Sequence, residues 1–242
     1  TVVLESRGVL PKETGTKEHM TRIIIFCAVA LATASMSLAA DKEVEELLLA
    51  MRKAYKEVKT ATFTLEATIL AENGDITIKM AGGFKSPNKM YVDVESMENT
   101  ARISTDGKDI FAVSDKSTSV FTRKFTNDDM GQFLRYANLE VINFYDWKRQ
   151  LSTAKGDNMH DSKLSIRRNQ KWIGKTWIVL EEAAPTVGVY VEYYVDPETH
   201  LVWRTVRMSL DKEFTQGDFI LKSLKTGVKI DDSKFKKPVI AE

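Results

Sequence analysis

The stretch ATFTLEATILAENGDITIKMAGGF, residues 61–84, decides the fold. Ala61, Phe63, Leu65, Ala67 and Ile69 occupy alternate positions, with Thr62, Thr64, Glu66 and Thr68 between them. Successive side chains of a strand point to opposite faces, so a period of two makes a strand with one apolar and one wet face. Asn73-Gly74-Asp75 supplies a tight turn, and Ile76, Ile78, Met80 and Phe84 carry the apolar row back on a second strand. An apolar row has to be covered. The protein's own core or a greasy guest can both do it, and the pattern admits either.

On the N-terminal side, EVEELLLAMRKAYKEVK (residues 43–59) places Val44, Leu47, Leu48, Met51, Tyr55 and Val58 at helical spacing, predicting one amphipathic helix. On the C-terminal side strand signals dominate. Met90, Val92 and Val94 alternate with polar neighbours, and residues 101–105 and 110–113 flank the turn Asp106-Gly107-Lys108. Residues 119–125 continue the meander. TNDDMGQFLRYANLEVINFYDWKRQLS then offers Asn127 as a cap and apolar residues at helical spacing, which predicts a helical insert. Further strands are expected over 164–168, 175–181, 187–195, 201–210 and 214–224, with Asp196-Pro197-Glu198-Thr199 turning between two long partners.

The order is therefore helix, five or six strands, helical insert, then about five strands. Short connections and clean alternation imply antiparallel neighbours. A single twisted sheet of about ten or eleven strands curls. The expected fold is α+β: a curled antiparallel half-barrel with helices covering its concave apolar face.

Of the 242 residues, 43% are hydrophobic, ample for a core. Lys and Arg number 35 against 34 Asp and Glu, so no charge draws the chain to nucleic acid. Met20-Thr21-Arg22 precedes IIIFCAVALATASMSLAA, an apolar run fading into small residues. This is the pattern of a secretory signal peptide over residues 20–40, cut after Ala39 or Ala40. Residues 1–19 fit no such pattern and read as an extension from a start codon placed too early. Residues 41–242 are expected to form a single domain in an exported compartment. Cys27 is the sole cysteine and lies inside the apolar run, so the mature domain carries neither disulfide nor thiol chemistry.

Catalytic signatures are lacking. The mature chain keeps His160 and His200, far apart in turn-like settings, and no metal-ligand spacing occurs. Asp128-Asp129, Glu181-Glu182 and Asp231-Asp232 are sequence neighbours, which on a strand face opposite ways. Gly82-Gly83 is not followed by a helix, as a phosphate loop requires. No enzyme activity and no cofactor are expected.

The order of motifs resembles the LolA-like family of periplasmic lipoprotein carriers, divergently. The helix running into Thr60–Thr64 resembles the family's opening. Phe84-Lys85-Ser86-Pro87-Asn88-Lys89-Met90 is similar to its Pro-Asn strand entry, and Ile103–Phe111 to its S-D-G-K segment. Ile230–Pro238 resembles its final D-x-x-x-F…P strand. The resemblance implies a half-barrel whose interior takes acyl chains of a lipid or lipoprotein, with inner- and outer-membrane transport components as partners and the chain a monomer. Ser86 stands where those carriers have the arginine that ties lid to sheet, which puts the family's opening cycle in doubt. The same fold also suits a protein-binding envelope-stress regulator.

Phe63, Leu65, Ile69, Ile78, Met80, Met90, Val92 and Ile103 are the expected lining of the concave face, and Phe133, Tyr136, Phe144 and Trp147 its cover from the insert. Each methylene moved from water to such a face gains roughly 0.8 kcal/mol. A chain of about 15 methylenes gains on the order of 10 kcal/mol before ordering costs, with no charged anchor.

Overall fold

The computed structural model of the protein describes residues 42–70, 74–97, 99–124, 142, 163–185 and 188–239. It opens with helix α1, residues 42–57. Val44, Leu47, Leu48, Met51 and Tyr55 are buried on one stripe, while Glu45, Glu46, Arg52 and Lys53 stay exposed on the other. That is the division expected of a helix lying on a sheet.

Eleven strands follow: β1 (Thr60–Ile69), β2 (Ile76–Lys85), β3 (Lys89–Glu95), β4 (Thr100–Thr105), β5 (Asp109–Ser114), β6 (Phe121–Lys124), β7 (Lys163–Trp172), β8 (Lys175–Ala184), β9 (Val189–Val195), β10 (Val202–Ser209) and β11 (Thr215–Thr226). They make one antiparallel sheet in the order β6-β5-β4-β3-β2-β1-β11-β10-β9-β8-β7. Two meanders thus share a centre, where the first strand pairs with the last. Among the described residues the borders are β6 and β7. Residues 125–162 join one border to the other, and Ile142, among them, is fully buried in the core.

Local chemistry explains the turns. Asp106 Oδ1 accepts from the backbone N–H groups of Lys108 and Asp109 at 2.8 and 3.0 Å, closing the turn between β4 and β5. Ile173 and Gly174, at φ 48° and 72°, both take the left-handed region between β7 and β8. Two such residues make the tight turn whose twist matches its strands.

Two expectations need correction. Strand β7 runs to Trp172 rather than stopping at Arg168, because the register slips between Arg167 and Gln170 and breaks the alternation. Residues 230–238 form no strand. A 3-10 turn spans Asp232–Phe235, capped by Asp231 Oδ1 accepting from Ser233 N at 2.8 Å. The segment lies against β3 and β4, where Phe235 is buried edge-on against Tyr91 at 5.7 Å. A chain laid across a sheet face has no ladder to join. The helical insert expected over residues 126–152 lies outside the described residues, Ile142 excepted.

Candidate functional site

The register brings the candidate residues of β1 to β4 onto one face, the inner one. Phe63, Leu65, Met80, Met90 and Val92 are buried there, and Ile69, Ile78 and Ile103 are half-buried against the same cluster. From the far half of the sheet Ile178, Leu180, Tyr193, Val195, Phe219 and Leu221 join them, with the apolar stripe of α1. Phe133, Tyr136, Phe144 and Trp147 lie outside the described residues.

Helix α1 seals one end of this face. Its Tyr55 hydroxyl accepts from Val202 N at 3.1 Å, and its Glu43 pairs with Arg168. In register, both contacts lie near the level of Leu65 of β1. Cover thins along the strands from there. Ala61 is 0% exposed and Phe63 2%, while on β2 Met80 reaches 9% and Ile76 41%. Val94 is likewise half-buried. The closed end is filled by the protein's own side chains. The other end presents a half-covered apolar rim.

A polar inset interrupts the inner face, and sequence reasoning missed it. Tyr193 is 2% exposed and donates its hydroxyl to Glu182 at 2.8 Å, itself 6% exposed. Beside Tyr193 across the ladder sits Thr205, 1% exposed. Thr205 Oγ1 is buried with no hydrogen-bond partner. Arg207 follows at the rim and donates from Nε to Gln216 Oε1 at 3.1 Å. The signal was present: Ile178, Leu180 and Glu182 share one parity, so Glu182 had to fall among apolar neighbours.

The outer face is built differently. Over β8 to β11 its charges are paired and stacked. The Arg204 guanidinium lies between the rings of Trp172 and Tyr194, at 5.2 and 5.0 Å, and holds Asp218 through two bonds of 2.8 and 2.6 Å. Burial lowers the pKa of Arg204, but Asp218 more than offsets it and the net shift is upward. Over β1 to β5 lies a groove of about 740 Å³ that includes Glu66, Lys79, Ala81, Asp93, Arg102 and Val113, with Val239 of the tail at its margin. Arg102 grips Asp93 at 2.6 and 2.8 Å, which raises its pKa. Burial, then Asp93, raises Tyr91 beside them. Leu65 and Met80 border this groove through strands whose side chains point to the inner face.

Among the described residues no group of three or more His, Cys, Asp or Glu could hold a metal ion. None of their helices is long and apolar enough to cross a membrane.

No protein-family model matches the chain, and no curated protein matches it. Solved structures do. MucB matches over 81% of this chain at 15% identity, with a TM-score of 0.50. The chain shares its fold with MucB. MucB in the MucA/MucB complex of Pseudomonas aeruginosa matches at 13% identity over 81% of this chain, TM-score 0.48. A LolA superfamily protein of Nitrosomonas europaea matches over 80% of this chain and 97% of its own, at 11% identity and a TM-score of 0.38. The chain spans 63% of MucB and 61% of the MucB chain in that complex. At such identities the likeness is one of fold.

Proposed function

We propose that the protein is an exported carrier or chaperone that holds the acyl chains of a lipid or lipid-modified protein on the inner face of its LolA-like sheet and moves them towards the outer membrane. The carrying observation is the loss of cover along that face, from Ala61 at 0% exposed to Ile76 at 41%. An apolar rim continuous with the core is where an alkyl chain gains by leaving water, at about 25 cal/mol per Å² buried. The paired charges of the outer face offer it nothing comparable. The proposed role involves binding and release, with no covalent step.

Native mass spectrometry of full-length protein purified without detergent tests the reading. Added mass corresponding to one lipid is the expected result, with Ile78→Glu abolishing it. A bare protein mass, together with no binding of a fluorescent fatty acid, would sink the carrier role. A second reading, a protein-binding regulator on the same fold, is favoured by the outer groove. A partner bound there would be lost on Ala81→Arg while lipid uptake persisted.

A further inference from the structure

We infer that the end of the sheet where β1 begins, with the tail laid across its outer face, docks on the surface of an anionic lipid bilayer. This surface lies away from the acyl-chain site, and the carrier reading stands or falls without it.

The whole chain has a formal charge of only +1, yet its charges are sorted along the strands. The tail brings Lys229, Lys234, Lys236 and Lys237. Four more segments meet it at the same end. Ser86 N donates to Lys59 O at 2.7 Å, which sets Lys59 beside the turn that carries Lys85 and Lys89. Asn88 Nδ2 of that turn donates to Gly107 O at 3.0 Å, bringing in Lys108. Lys225 begins the outer-face row Lys225–Thr62–Gly83–Tyr91–Ser104. The tail crosses this row. Ile230 Cδ1 lies 3.2 Å from where a Cβ on Gly83 would stand, Phe235 packs on Tyr91, and Ser104 Oγ donates to Lys236 O at 3.4 Å.

Nine lysines thus face four aspartates, Asp106, Asp109, Asp231 and Asp232, an excess of five positive charges. Lys56 and Glu57 nearby cancel each other. Only Lys85 and Lys89 of the nine form ion pairs, sharing Asp232, and the other seven are exposed. Asp106 and Asp231 turn their carboxylates to backbone N–H groups of their own turns. Lysines that merely keep a surface soluble are interspersed with acids. Here like charges crowd one end, and a polyanionic surface relieves their repulsion.

Val239 decides which polyanion. It follows Lys236-Lys237-Pro238 and is 94% exposed, the highest value among the large apolar side chains described. A basic cluster beside a bare apolar side chain gives a lipid interface two holds, one electrostatic and one hydrophobic. A dissolved polyanion would use only the first. The opposite strand ends carry Asp75, Glu95, Asp115, Asp211 and Glu213 against Lys116 and Lys212. The protein is therefore polarised, and on the bilayer its half-covered rim faces the aqueous side.

Co-sedimentation of the full chain with vesicles tests this, phosphatidylcholine alone against phosphatidylcholine mixed with phosphatidylglycerol. The wild type should bind the anionic vesicles at least about tenfold more tightly in low salt, and lose that preference near 1 M salt. Lys236→Gln with Lys237→Gln should weaken binding about tenfold or more, and Val239→Asn about threefold. Lys116→Gln with Lys163→Gln, the same change of charge elsewhere, should leave it unaltered. The apolar run of residues 23–40 is common to every variant, so differences between variants report the substituted residues. Equal binding to both kinds of vesicle, or an equal loss in the two double variants, overturns the inference. So does tight binding of soluble polyphosphate without vesicle binding, which assigns the lysines to a dissolved polyanion. Uptake of a fluorescent fatty acid by the same preparations reads the carrier role separately.

Discussion

Asp196 shows how much one side chain settles. It is 4% exposed, and its Oδ1 accepts from Glu198 N at 2.9 Å while Oδ2 takes Lys175 Nζ at 2.8 Å. Burial raises its pKa, but Lys175 and the turn's N–H groups outweigh that, and the net shift is downward. A carboxyl with a folded pKa below its unfolded value stabilises fully above about pH 4 and loses that contribution as pH falls through the folded value. Asp196→Ala should cost about 2 kcal/mol at pH 7 and visibly less at pH 3. Urea melts at the two pH values decide it; a penalty independent of pH would mean the charge is not the source. Gly82 is a steric counterpart. A Cβ there would meet the Tyr91 carbonyl oxygen at 2.4 Å and Phe63 Cζ at 2.5 Å. Gly82→Ala should therefore cost about 3 kcal/mol, and shortening Phe63 to Leu should recover only part, since the backbone oxygen cannot retreat.

At the scale of elements, α1 and the tail cover opposite faces and differ in consequence. Met51 of α1 is wholly buried in the core, so Met51→Ala should cost about 3 kcal/mol and lower the global melt. Phe235 anchors a short segment whose other ties are Ser104 Oγ donating to the Lys236 carbonyl at 3.4 Å and Asp232 to Lys85 and Lys89, at 2.8 and 3.4 Å, exposed pairs of small worth. Phe235→Ala should release residues 228–239 to proteolysis while the sheet melts within a few degrees of wild type. An equal drop in both variants would mean the tail belongs to the core. The helix and most strands were legible because apolar spacing at 3.6 or 2 residues is what the inner face demands. The tail was not, because Phe235 and Pro238 suit a strand as well as a plug, and only the neighbouring Tyr91 decides. The inset was half legible: parity placed Glu182 inward, but the pairing of Tyr193 with Thr205 depends on register, which no local pattern encodes.

For the molecule as a whole, the order of strands matters more than any pair. Thr60 and Gly227 are joined by a hydrogen bond of 2.9 Å at the middle of the sheet, and β1 pairs with β11 along nearly its full length. Such distant pairings must close a long loop before they repay it, so folding should take milliseconds to seconds rather than microseconds. Stopped-flow refolding checks this, and the fluorescence of the tryptophans on β7, β8 and β10 should recover together with far-ultraviolet dichroism. Separate phases would show that the two meanders fold independently. The sheet's unclosed borders have a further consequence. β6 is only four residues long and includes Arg123 and Lys124, and β7 carries Lys163, Arg167, Arg168 and Lys171 around its register slip. Two copies approaching border to border meet on strands too short or too kinked to zip. Concentrated solutions should therefore resist growth into fibres, which light scattering would check.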